Sequence, residues 1–325
     1  MYHVAIIGAG NLGSRHLQAL ALTKIPLCVE VVDPSEESLA IAKKRWEEMP
    51  ENPLIEDIVF GADLGVLSPE LDVVIVATSS APRRAIVETL LTIRKVKYLI
   101  LEKVLFQRLK DYDEIQALLD RRGGKAWINC GRRSLKFYRS LAEMMRQNSR
   151  VDMTVSGANW GLGCNSIHML DIYAVLSGQN QFGVDVSSLD QGWIESKRNG
   201  YIEFTGTLRV QSAKGILNLQ SDMLGERPIV ITIQTERYFC MIYETGKVAK
   251  MFRKEEKDWL WETVPVDIRN QSEVTHELVQ SLIETGNCLL TPYAESASLH
   301  KVLLKGFLEH VNQFSDNKTE VCAIT

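Results

Sequence analysis

Val4-Ala5-Ile6-Ile7-Gly8-Ala9-Gly10-Asn11-Leu12-Gly13-Ser14-Arg15-His16 is the stretch that decides how this chain folds. A short apolar run of strand length ends in a glycine-rich turn, and the turn opens an amphipathic segment of helical spacing. Glycines at such a junction let the backbone turn tightly and approach a ligand closely. The free amides and positive dipole of the helix start then favour a pyrophosphate. A glycine-rich turn that binds nothing is the alternative, and the residues that follow weigh between the two.

Outward from this turn, strands are predicted over 3–7, 27–32, 72–77, 97–101 and 125–129, with helices over 11–22, 35–48, 82–93 and 112–121 between them. The β-branched run Val73-Val74-Ile75-Val76 suits a strand buried on both faces, and Pro34 and Pro82 stand where helices begin. Strand and helix alternate as in a doubly wound parallel sheet of the Rossmann kind. Asp33 ends the second strand, twenty residues beyond Gly13, where a carboxylate can accept hydrogen bonds from the ribose of an adenosine. As an alternative it caps the next helix. The carboxylate repels a 2′-phosphate, and Asp33-Pro34-Ser35-Glu36-Glu37 holds no arginine to receive one, so NAD is expected rather than NADP. Gly8, Gly10, Asn11, Leu12, Gly13 and Asp33 are therefore the first cofactor-binding candidates.

After Arg132-Arg133 the texture changes. Segments 215–219, 229–235 and 238–243 are β-rich, and Ile229, Ile231 and Ile233 alternate with Val230, Thr232 and Gln234 as in a sheet with one dry face. Helical spacing returns over 274–284 and 294–314. At 325 residues two domains are expected: 1–130 binding the dinucleotide and 131–325 binding substrate, the terminal helix placed to pack back on the first. Thirty-seven Lys and Arg against 41 Asp and Glu leave a net charge of −4, too little positive field to hold a nucleic acid. No apolar run is long enough for a membrane span, and glycine interrupts the first strand too early for a signal peptide. Six scattered cysteines include no Cys-x-x-Cys pair, so no metal site is expected and a cytoplasmic, reducing setting is.

Taken together, Gly8 to His16, Ala77-Thr78-Ser79-Ser80, Glu102-Lys103, Arg132-Arg133 and His168-Met169-Leu170-Asp171 resemble, in order and spacing, the Gfo/Idh/MocA family of glucose-fructose oxidoreductases, inositol dehydrogenases and rhizopine-catabolism enzymes. The resemblance implies a C-terminal α+β domain with a large, mostly antiparallel open sheet that backs the substrate pocket and joins subunits into a dimer or tetramer. It implies that Thr78, Ser79 and Ser80 line the nicotinamide side. Where the family has Thr-Pro-Asn-x-x-His, Arg83 replaces the histidine, either to attract an anionic group or as a solvated helix arginine.

The family's Glu-Lys-Pro motif is Glu102-Lys103-Val104 here, and Lys103 takes the place of the lysine beside nicotinamide and carbinol. A cis peptide before valine is costly, so this bond is expected to be trans. The family's Asp-x-Gly-x-His-x-x-Asp reads Cys164-Asn165-Ser166-Ile167-His168-Met169-Leu170-Asp171. His168 is the second catalytic candidate, Asp171 three residues on is its orienter, and Cys164 and Asn165 line the pocket in place of the aspartate. A lone histidine of this kind is otherwise a satisfied, half-buried one. Arg132 and Arg133 clamp an acidic substrate group or bridge the domains by a salt bridge; Trp160 stacks on a sugar or simply packs. The implied activity is NAD-dependent hydride transfer between nicotinamide and a secondary alcohol or ketone of a sugar, cyclitol or sugar derivative. Two alternatives stand beside it: an epimerase or eliminating enzyme that retains its NAD, and a non-catalytic NAD-binding sensor or scaffold.

Overall fold

A computed structural model describes residues 1–255 and 258–325. The chain divides into two compact units, the first from Met1–Phe106, Lys110–Asn129 and Arg269–Ala294, the second from the remainder.

In the first unit β1 (Tyr2–Ile7), α1 (Asn11–Leu20), β2 (Leu27–Val32), α2 (Glu36–Glu47), β3 (Ile55–Gly61), β4 (Glu70–Val76), α3 (Ser80–Ile93), β5 (Lys95–Leu101), α4 (Leu109–Arg122) and β6 (Lys125–Ile128) follow one another. The strands lie in the order β6-β5-β4-β1-β2-β3, every pair parallel. Val4, Ile6, Val73, Val74, Ile75 and Ile100 are completely buried, as apolar residues on both faces of a central parallel sheet must be. The order reverses beside β1, so the carboxyl ends of β1 and β4 stand at the switch point where such sheets take ligands.

The second unit carries α5 (Lys136–Met145), β7 (Asp152–Ala158), α6 (Leu162–Ser177), β8 (Gly183–Leu189), β9 (Ile194–Glu195), β10 (Ile202–Glu203), β11 (Gly206–Ser212), β12 (Gly215–Asp222), β13 (Val230–Gln234), β14 (Tyr238–Tyr243), β15 (Val248–Glu255) and β16 (Asp258–Pro265). Eight of these strands form one open sheet, β16-β15-β14-β13-β7-β12-β11-β8, antiparallel except where β12 runs parallel to β7. On its dry face Ile231, Ile233, Leu217, Leu219, Cys240 and Ile242 are fully buried, and α6 packs on β12. The other face leaves Met241, Trp259 and Trp261 exposed, with Phe239, Phe252 and Trp261 side by side across three strands.

The chain then returns to the first unit as α7 (Gln271–Thr285) and β17 (Thr291–Pro292), before α8 (Tyr293–Gln313). Leu278, Val279 and Leu282 of α7 join Val4, Leu17, Leu20 and Ile75 in one core, and β17 pairs antiparallel with β6 as a seventh strand. A single cut after residue 130 does not contain this return. It is α7 that completes the first unit, whereas the terminal helix belongs, from Glu295 on, to the second. No helix among the described residues is long and apolar enough to cross a membrane.

Candidate active site

The turn between β1 and α1 has the conformation its glycines allow. Gly8 has φ +96°, and a Cβ there would come within 2.9 Å of the Thr78 amide nitrogen. At Gly13 a Cβ would fall 1.7 Å from the Gly8 carbonyl oxygen, so this glycine sets how closely α1 meets the turn. Gly10, by contrast, faces open space. The Asp33 carboxylate accepts from the Ala9 amide at 2.7 Å and the Ser35 amide at 2.8 Å, which ties the end of β2 to the turn. Beside Gly8, the buried Thr78 hydroxyl has no hydrogen-bond partner among the described residues. An open glycine, an orphaned hydroxyl and a fixed carboxylate around a helix N-terminus fit a dinucleotide. Arg45 was not anticipated: from α2 it donates to the Asn11 carbonyl at 3.3 Å, the Asn11 Oδ1 at 3.1 Å and the Ser14 hydroxyl at 2.5 Å. Nothing in the motif announces it, because its register depends on how α2 packs along α1.

At the end of β5, Glu102 is buried and Lys103 half-buried. The Lys103–Val104 peptide is cis, which corrects the trans expectation. The turn is braced from outside the motif. Arg83, 1% exposed, donates to the carbonyl oxygens of Thr78, Val104 and, at 3.1 Å, Leu105. Its burial overturns the solvated reading of Arg83, whose fork ties α3 to the Lys103 turn. Glu102 Oε1 meets His16 Nε2 at 3.0 Å and accepts from Asn129 Nδ2 at 2.5 Å. Burial alone would push its pKa up, but these hydrogen bonds and the nearby Arg83 charge hold it below the usual carboxylate value.

In the second unit, Gly161 takes φ +75° and starts α6, and the buried Glu203 of β10 accepts from the amides of Gly163 at 2.6 Å and Cys164 at 3.2 Å. A carboxylate thus sits on the helix N-terminus, where its charge is favoured. Asn165 donates to the Trp160 carbonyl at 2.6 Å, and Cys164 to that of Gly161 at 3.5 Å. His168 stands one turn further along α6, half-buried. Asp171 is completely buried and accepts both arms of Arg133, at 2.9 and 2.7 Å, while Arg133 also reaches Glu295 at 2.8 Å.

Arg132 grips Glu244 in the same bidentate way, at 2.9 and 2.8 Å, with Tyr138 donating to that carboxylate at 2.6 Å. Both arginine pairs close within the second unit, so the reading of a salt bridge between domains is corrected. The forks of Arg132 and Arg133 are charge-paired with Glu244 and Asp171. Trp160 is buried and donates its indole N–H to the Gln220 carbonyl at 2.7 Å, the packing role rather than the stacking one. Sequence spacing found the segments; it did not reveal Glu203, Glu244 and Glu295, whose partners lie 39 to 162 residues away.

Comparison with known proteins follows the same lines. Residues 2–130 match the family described as oxidoreductase family, NAD-binding Rossmann fold, the Gfo/Idh/MocA family. No curated protein matches the chain. Among solved structures it is similar to UDP-N-acetylglucosamine 3-dehydrogenase GnnA from Acidithiobacillus ferrooxidans, with 15% identity and a TM-score of 0.70 over 97% of this chain and 99% of that one. An oxidoreductase from Agrobacterium radiobacter, in complex with NAD+, L-tartaric acid and magnesium, has 14% identity and a TM-score of 0.72 over 97% of each chain. A super-repressor mutant of Gal80p from Saccharomyces cerevisiae has 14% identity and a TM-score of 0.72 over 97% of this chain and 96% of that one. At these identities the likeness is one of fold.

Proposed function

We propose, from the premise that residues 2–130 belong to the NAD-binding Rossmann domain of the Gfo/Idh/MocA oxidoreductase family, that the protein is an NAD-dependent oxidoreductase acting on a secondary alcohol or ketone of a sugar, cyclitol or sugar derivative. One observation carries this reading: Lys103 follows a buried, hydrogen-bonded carboxylate at the carboxyl end of β5, in the unit that holds the glycine turn and the orphaned Thr78 hydroxyl. Gly8, Gly10, Asn11, Leu12 and Gly13 would hold the diphosphate, Asp33 the adenosine ribose, and Thr78 to Ser80 the nicotinamide end. Asp33 supports NAD over NADP. Bound there, a nicotinamide dinucleotide supplies the hydride acceptor or donor.

The chain's own residues handle the proton. By resemblance, Lys103 and His168 share the two tasks of moving the hydroxyl proton and polarising the carbinol oxygen. Asp171, three residues beyond His168 on α6 and held by Arg133, would by the same resemblance orient that histidine. A second reading, a non-catalytic NAD-binding sensor, is favoured by one observation: Cys164 stands where the family carries an aspartate. Six scattered cysteines with no Cys-x-x-Cys pair support a reducing, cytoplasmic setting. The exposed aromatic face of the second sheet supports assembly with further copies of the chain.

The test is NADH formation from NAD, followed by near-ultraviolet absorbance, over a panel of cyclitols, aldoses, uronates and nucleotide sugars, for wild type and Lys103→Met together. A signal lost in the variant, with NADH binding retained, supports the dehydrogenase and the lysine's role. Equal signals would remove Lys103 from the chemistry. Silence in both with NADH bound would favour the sensor.

A further inference from the structure

Five buried or half-buried polar side chains in the first unit form a closed ring of hydrogen bonds drawn from four elements. His16 of α1 meets Glu102, at the end of β5, at 3.0 Å. Asn129, at the end of β6, donates to Glu102 at 2.5 Å and to Gln271 Oε1 of α7 at 2.8 Å. Gln271 donates to the Thr275 hydroxyl at 2.7 Å, and Thr275 closes the ring on His16 Nδ1 at 2.9 Å. Donors and acceptors match all the way round when the imidazole proton is on Nε2: Thr275 donates to His16, His16 to Glu102, and the amides supply the rest. His16 and Thr275 are completely buried, so water cannot replace a lost partner at low cost.

We infer that His16, Gln271 and Thr275 are positioning residues for the reaction at Lys103, acting through Glu102. This rests on the oxidoreductase reading of Lys103. Glu102 immediately precedes Lys103, and one of its oxygens receives two donors from the ring. With that oxygen fixed, the backbone that leaves β5, and the lysine on it, is held from one side by the ring and from the other by Arg83. The charged and titratable groups around the carboxylate are His16 from α1 and Arg83 from α3; Asn129, Gln271 and Thr275 complete the shell without charge. A reacting group displaced by about 1 Å loses up to about a hundredfold in rate, so loosening the ring is expected to reach the chemistry even though no ring member other than Glu102 adjoins Lys103 in sequence.

Thr275→Val removes the hydroxyl and keeps the shape, Thr275→Ser restores the hydroxyl, and Gln271→Met opens the ring elsewhere should the valine variant not fold. Two readouts are taken on the full chain: kcat on the responding sugar with the NADH dissociation constant, and the acetylation rate of Lys103 by acetic anhydride relative to the other lysines, measured by mass spectrometry. The expected result is a roughly tenfold fall in kcat, an NADH dissociation constant within about twofold of wild type because the glycine turn is untouched, a changed relative acetylation rate at Lys103, and recovery of both in Thr275→Ser. Unchanged acetylation in folded Thr275→Val and Gln271→Met overturns the inference, as does a loss confined to thermal stability. If the wild type turns over no substrate, the oxidoreductase reading fails by itself, and the acetylation readout alone decides whether the ring positions Lys103.

Discussion

Arg83 shows what a single side chain can hide. Its sequence position suggested an anion contact or a solvated helix face, yet it is 1% exposed and spends its fork on three carbonyl oxygens. Removing it in Arg83→Met leaves buried acceptors without donors, and a loss of about 3 kcal/mol is expected in urea unfolding. Arg83→Lys should recover only part of this, because an ammonium cannot span three acceptors in a plane. Wild-type stability in Arg83→Met would mean the carbonyls find other donors. Motif residues were legible at this scale because their chemistry is local: Gly8 needs its positive φ and Asp33 its place at a strand end. Partners such as Arg45, Glu203 and Glu244 were not, since burial and pairing across long sequence separations leave no local pattern.

At the scale of elements, the period of the apolar residues gave the central strands and most helices of the first unit to within a few residues. β3 escaped because Ile55–Gly61 carries Glu56 and Asp57 and has no fully buried residue, as an edge strand can. The same physics makes β14 to β16 conspicuous. Phe239 and Phe252 lie 5.8 Å apart, Phe252 and Trp261 6.4 Å apart, and Lys250 stands 5.2 Å over the Trp261 ring. Trp261 is 60% exposed, an expensive arrangement for an indole unless another surface covers it. If a second copy does so, Trp261→Lys, which sets another cation beside Lys250, should weaken the assembly by about 2 kcal/mol or more. Sedimentation velocity would then show a lighter species with unchanged circular dichroism. The same mass for wild type and variant would place any self-association on a different face.

Across the whole molecule, buried carboxylates set the response to acid. Burial alone would raise the pKa of Glu244, but Arg132 and the Tyr138 hydroxyl hold it below its ordinary value, and His16 and Asn129 do the same for Glu102. A carboxylate whose folded pKa is depressed contributes stability above the ordinary carboxylate range and loses it as the pH falls through the folded value. Urea midpoints are therefore expected to hold near neutrality and fall on the acid side, with a shallower fall in Glu244→Gln. An identical slope in that variant would assign the acid sensitivity to other groups. The return of the chain through Arg269–Ala294 bears on a different clock. Leu278, Val279 and Leu282 belong to the same core as Val4 and Leu17, so the dinucleotide-binding unit cannot close its interior while α7 is still unmade. During synthesis at about 5–20 residues per second, the first-made half must wait, partly open, until the second has been translated past it, and the glycine turn that meets the ligand is among the first parts made and the last to be made rigid.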